Sequence, residues 1–295
     1  MTAALAQTAA ALPWFLPAAA FLIGACVGSF LNVVILRVPA GESVVRPRSH
    51  CACGAPIAWH DNIPIASWFM RGGRARCCGR PFSIRYPAVE LLTALLFLAC
   101  WLGHAPAPAL CGWIFLGGLV AATFIDVDHL MIPDAFTLGL GIAGVLLSFL
   151  VPELHGQRSG LFALDSLRSG AESIEGLLLG SGLVLWIALF AGAALRKEAM
   201  GLGDVKFAGA IGAFCGWKGA VFALFGGAVI GTAWLAAALA WRSAFRTKDG
   251  ASERAPLAFG SRVPFGPMLA VAGALYFLLL HREVDAWFAR FALLF

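Results

Sequence analysis

The chain is expected to be an all-α integral membrane protein of about eight transmembrane helices, with a small cytoplasmic, cysteine-containing loop domain between helices 1 and 2. Three observations predict this. Of 295 residues, 60% are apolar and only 13% charged, against about 45–50% and about 25% in an ordinary globular chain. Phe 23 and Trp 10 against Tyr 2 suit side chains facing lipid. The apolar residues also fall in runs far longer than a barrel strand, so the spans are helical. This composition excludes a soluble enzyme and a disordered protein. The net charge of +5 is small and spread over loops, so no nucleic-acid partner is expected.

Met1 to Leu36 carries no charged side chain and lacks the basic start of a cleavable signal, which predicts one uncleaved span near Trp14–Leu36. Residues 37–85 are polar and hold eight Arg. Apolar runs follow at 88–103, 108–125, 135–151, 176–195, 204–217, 219–241 and 264–281. Roughly 20 helical residues cross the hydrocarbon core, so the shorter runs need boundary residues or a thinned bilayer. The stretch 152–175 reads as a polar loop, and HREVDAWFARFALLF as a short amphipathic helix at the interface. The expected organisation is a first helix over 1–36, a loop domain over 37–86, a membrane core over 87–282 and an interfacial tail over 283–295.

Lys and Arg distribute unevenly across alternate loops. Sixteen fall on the side of 37–85, Arg196–Lys206 and 242–262, and five on the other. The rich side is cytoplasmic by the positive-inside rule, with both termini outside.

Two acids stand where acids are costly. Asp126 lies in FIDVDHLMIPD at the end of the third span, and Asp204 in AMGLGDVK at the start of the sixth. Only 11 uncharged residues separate Lys206 from Lys218, too few to cross alone, so the sixth helix should begin near Met200 and draw Asp204 below the headgroups. A carboxylate there is a functional candidate by default. Asp134, after Pro133, and Asp128 suit helix-end roles instead. Two carboxylates in a low-dielectric site share one proton, the machinery of an aspartic protease: one draws a proton from water while the other donates to the scissile carbonyl. Gly201 and Gly203 would let the backbone turn tightly beside Asp204 and leave room for an extended peptide.

Four of eight cysteines cluster in the first loop: Cys51, Cys53, Cys77 and Cys78. In a reducing compartment such clustering suggests tetrahedral zinc, and Gly54 and Gly79 follow the two pairs as in zinc knuckles. The spacings are CxC and CC where CxxC is usual. His50 stands three before Cys53 as a substitute ligand, and Ala75 cannot serve as one. A loop that folds without metal is the other reading. Gly139, Gly141 and Gly144 spell G-x-G-x-x-G inside an apolar run with no preceding strand, so helix packing explains them better than a dinucleotide.

Together GSFLNVVILRVP (28–39), HDNIPIASWFMRGG, SIRYPAVELLTAL, FIDVDHLMIPD, AMGLGDVKFAGAIGAFCGW and RVPFGPMLA resemble, in that order, the type IV prepilin leader peptidases of bacterial inner membranes, which also serve type II secretion. The resemblance runs from about Gly24 to Ala270. Ala199 stands where the family usually has Gly. The resemblance implies that Asp126 and Asp204 are catalytic and that the substrates are prepilins and pseudopilins, cleaved after a Gly at the cytoplasmic face. It further implies N-methylation of the exposed residue, usually Phe, with S-adenosylmethionine, an activity tied to the N-terminal portion. Two other classes compete: a transporter using intramembrane carboxylates, and a metal-binding membrane protein using Asp126, Asp128, His129 and Asp134.

Overall fold

Long apolar runs without water have to satisfy their backbone internally, and helices do so segment by segment. The computed structural model describes residues 7, 10–51, 53–196, 200–244 and 264–292. Its helices are α1 (Phe15–Arg37), α2 (Arg85–Gly103), α3 (Pro106–His129), α4 (Asp134–Leu150), α5 (Phe162–Leu195), α6 (Leu202–Ala244), α7 (Gly266–Leu275) and α8 (His281–Ala292). A π-helical turn, Tyr276–Leu280, joins the last two. Among the described residues there is no strand, only isolated bridges in the 37–84 loop. The basic segment 245–263, Lys197, Ala199 and the last three residues of the expected tail lie outside the described residues.

Six helices are long and apolar enough to cross a membrane, and α4, at 17 residues, is a shorter apolar one. The count reaches the expected eight because α6 is two limbs. Gly216, at φ 66° and ψ 179°, breaks the helix. A Cβ placed on Gly212 would lie 3.2 Å from the Ala220 Cβ, whereas residues eight apart in one helix are about 12 Å apart. The chain therefore folds back at Gly216, α6a (202–215) lying antiparallel to α6b (217–244). Glycine supplies the left-handed φ that this reversal requires.

One expectation fails. Residues 162–175 are not loop but the first turns of α5. Their polar side chains are satisfied inside the fold: Ser173 Oγ donates to the Ala213 carbonyl of α6a (2.7 Å), Ser166 Oγ to the Phe149 carbonyl of α4 (2.6 Å), and Asp165 accepts the N–H of Ser159 in the preceding loop (2.8 Å). Small polar residues of this kind let membrane helices approach closely. Gly144 acts likewise, since a Cβ there would lie 2.9 Å from Ala213 and Phe214, which accounts for the glycine triplet by packing.

α3 is the axis of the bundle and the most buried span. On one side Leu116, Phe115 and their neighbours join Phe207, Ile211, Phe214, Leu269 and Phe277. On the other, Val120, Ala121 and Ile125 join Leu31, Ile35 and Val89. α1 and α2 thus form one lobe and α4–α7 another, with α3 between them.

Candidate active site

The two candidate aspartates meet where the end of α3, the start of α6a and the start of α7 converge. α3 stops at Leu130, whose φ of 53° is left-handed and whose N–H donates to the Asp126 carbonyl (2.8 Å). Asp126 is 5% exposed, and its Oδ2 is fully buried without a hydrogen-bond partner. Asp204 stands in the first turn of α6a, its N–H donating to the Gly201 carbonyl (3.1 Å). Neither has an ion-pair partner among the described residues. Two unpartnered carboxylates at one helix junction match the chemistry of a proton-sharing pair.

A third element completes the junction, and it was not read from the sequence. Gly266 opens α7 against the Asp126 carboxylate, with its backbone N–H facing it. A Cβ at 266 would fall 2.6 Å from Asp126 Oδ2 and 2.8 Å from Ile132 Cδ1. Ile132, buried in the extended link between α3 and α4, also sits 3.7 Å from the Cβ position of Gly203. Ile132 is thus the wedge spacing α6a from α7. The signal lay in FGP, a small residue and a helix-starting proline next to a basic segment, but it carries no charge to draw attention.

The other acids are accounted for. Asp128 pairs with Arg85 (2.7 Å), whose guanidinium also lies 5.0 Å from the Phe124 ring centroid. Asp134, in the first turn of α4, pairs with Lys206 (2.7 Å). Gly201 and Gly203 have no left-handed φ; the turn they form is closed by the Asp204 N–H to the Gly201 carbonyl, and at 201 an added Cβ would meet nothing closer than 3.9 Å among the described residues. Among the described residues, Asp126, Asp128, His129 and Asp134 form no metal-holding group.

The cysteines do form one. Two short turns, closed by Gly54 N–H to Cys51 O and Gly79 N–H to Ala75 O (both 2.8 Å), face each other. Gly54 (φ 87°) and Gly79 (φ 68°) supply the left-handed residue in each. Cys51 Sγ lies 3.6 Å from Cys78 Sγ, and Cys53 Sγ 3.3 Å from Cys77 Sγ. All four sulfurs lie within 4.8 Å of one another. Zn–S bonds of about 2.3 Å in a tetrahedron put sulfurs about 3.8 Å apart, and a disulfide would need about 2.05 Å. The donor set fits zinc despite the CxC and CC spacings. His50 takes no part, its Nδ1 lying 3.2 Å from the Arg48 carbonyl. The Cys53 backbone and neighbouring thiols hold the Cys51 thiol down at about 7, while hydrogen bonding with Cys53 and Cys51 pushes Cys77 up to about 12.

Comparison with known proteins agrees with this layout. Residues 22–104 match the Bacterial Peptidase A24 N-terminal domain, and residues 113–236 the Type IV leader peptidase family. The prepilin leader peptidase/N-methyltransferase of Aeromonas hydrophila is 34% identical over 302 residues, covering 92% of this chain and 93% of that protein. That of Klebsiella pneumoniae is 39% identical, covering 73% and 92%. That of Myxococcus xanthus (strain DK1622) is also 39% identical, over 72% of this chain, which spans 61% of that longer protein. No solved structure matches the chain. Nothing in these likenesses supports the transporter reading. The helix bundle, the aspartate junction and both family matches lead to one statement: the chain belongs to the type IV leader peptidase family.

Proposed function

We propose that this protein cleaves the basic leader from type IV prepilins and type II secretion pseudopilins and then methylates the new N-terminus. The observation that carries the reading is the pair of carboxylates without an ion-pair partner, Asp126 and Asp204, brought to one junction from α3 and α6a around Ile132. In this mechanism they share one proton. The ionised member takes a proton from the attacking water while the protonated member donates to the scissile carbonyl oxygen. The Gly266 amide steadies Asp126, and the open space at Gly201 admits the extended junction of the substrate.

The excess of Lys and Arg around 37–85 puts this end of the bundle at the cytoplasmic face of the inner membrane. A prepilin with its leader in the cytoplasm and its apolar helix among the lipids presents its junction at that depth. We assign residues 37–86 as a loop domain folded around zinc held by Cys51, Cys53, Cys77 and Cys78. The metal would supply folding free energy to a small segment with little core of its own. S-adenosylmethionine serves as the methyl-donating substrate of the second step. Incubation of the purified full-length protein with a prepilin tests the reading: a product shortened by the leader supports it, and an unchanged substrate overturns it.

A further inference from the structure

One more acid is buried at the aspartate end with no cation beside it. Glu90 on α2 is 9% exposed and takes part in none of the ion pairs among the described residues. Its Oε2 accepts the Ile65 N–H (2.6 Å), and the Ser29 side chain of α1 faces it. Ile65 is held at φ 63°, ψ −57°. For a β-branched residue this is strained backbone, of the kind that clusters at ligand sites. α1 lies close against α2 at the same place: a Cβ on Gly28 would lie 2.7 Å from the Glu90 Cα. Asn32, buried one turn beyond Ser29, donates its amide to the Tyr86 carbonyl (3.1 Å), which leaves its Oδ1 an acceptor. A carboxylate, a hydroxyl and an amide oxygen on adjoining turns are acceptors for a group with several N–H donors and a positive charge.

Leader cleavage creates one such group. Hydrolysis leaves a carboxylate on the leader and an ammonium on the mature chain, and that nitrogen, once it has given up a proton, is the atom to be methylated. The helix register puts Glu90 near the junction. α2 and α3 run antiparallel, with Arg85 paired to Asp128 and Val89 in one cluster with Ile125. Ile125 faces the α1–α2 lobe, and the next residue, Asp126, faces α7. The two sites therefore sit at similar depth on faces of α3 about 100° apart around its axis, with the body of that helix, on the order of 10 Å across, between them.

We propose that Glu90, with Ser29 and Asn32, forms an ammonium-binding site that receives the new N-terminus of the cleaved substrate and holds it for the second reaction. The proposal rests on the peptidase reading above. A purely structural Glu90 would serve only to anchor Ile65, and Glu90→Gln separates the two roles. Gln keeps an acceptor for the Ile65 N–H and removes only the charge.

The test is binding, without methyl donor, of a synthetic mature-end peptide beginning with Phe, compared with its Nα-acetylated twin, to the full-length protein in detergent. The wild type should prefer the free amine by about 10-fold or more, as expected for a desolvated charge pair. That preference should fade above about pH 8, where an α-amine loses its proton. In Glu90→Gln the two peptides should bind alike. Equal affinities in the wild type overturn the proposal without reference to any variant, and so does a preference kept by Glu90→Gln. Leader cleavage by the same wild-type preparation, measured separately, tells a failure of this site from a failure of the peptidase reading.

Discussion

The aspartate junction and the cysteine loop are built in opposite ways. Asp126, Asp204 and Gly266 come from three helices far apart in sequence, and rigid packing around Ile132 positions them. The cysteines come from two short turns 24 to 27 residues apart, mostly exposed, with few apolar contacts to fix them. The first site is assembled by the bundle before any substrate arrives; the second, on the zinc reading proposed above, would be completed by its metal. Their responses to perturbation should differ accordingly, in catalysis at one and in folding at the other.

The largest effect should follow loss of either carboxylate. Asp126→Asn and Asp204→Asn each keep the shape and remove the shared proton, so leader cleavage should fall by roughly 10³-fold or more, with the double variant no worse than either single. Insertion should be unaffected, as measured by membrane fractionation. If either single variant cleaves at full rate, that residue is not part of the mechanism.

Gly266→Ala sharpens the comparison, because it adds or removes no ionisable group. Its Cβ would press on Asp126 Oδ2 and Ile132. A displacement near 1 Å in a catalytic group costs up to about 10²-fold. Cleavage should therefore drop substantially, with metal content unchanged.

Cys53→Ser with Cys78→Ser should act the other way. Elemental analysis should find zinc in the wild type and little in the variant, and the loop should become sensitive to protease. Methyl incorporation should suffer more than cleavage, which uses no thiol. Acidification should also strip the metal from the wild type, since protons compete with it for the thiolates. A stably inserted double variant that has lost all cleavage would break the separation of the two regions. The smallest effect belongs to Asp128→Asn, which breaks the pair with Arg85. Partly exposed pairs contribute about 0–1 kcal/mol, so activity should stay within several-fold of wild type.

Much of this was legible before the fold was seen, for reasons that particular residues make plain. Asp126 and Asp204 stand out because charge inside an apolar run is costly and therefore rare. The break at Gly216 was foreshadowed by the separate apolar runs 204–217 and 219–241, and the short gap between Lys206 and Lys218 by itself pointed to a helix start near Met200, which the structure puts at Leu202. The start of α5 misled because Asp165, Ser169 and Ser173 read as loop by composition, while their polar atoms are satisfied within the fold, by the Ser159 N–H, by His155 and by the Ala213 carbonyl of α6a. The cysteine spacing misled in a different way. Knuckle spacing counts along one turn, whereas the sulfurs pair across two, Cys51 with Cys78 and Cys53 with Cys77. Gly266 was invisible because its meaning is a contact with a residue 140 positions earlier.

That last contact also orders events during synthesis. Asp126 emerges from the ribosome first, Asp204 later, and Gly266 only near the end of the 295-residue chain. Until α7 inserts, the two carboxylates have a neighbour missing and no wall behind them. A nascent chain arrested before residue 266 would carry both carboxylates without the Gly266 contact that abuts Asp126.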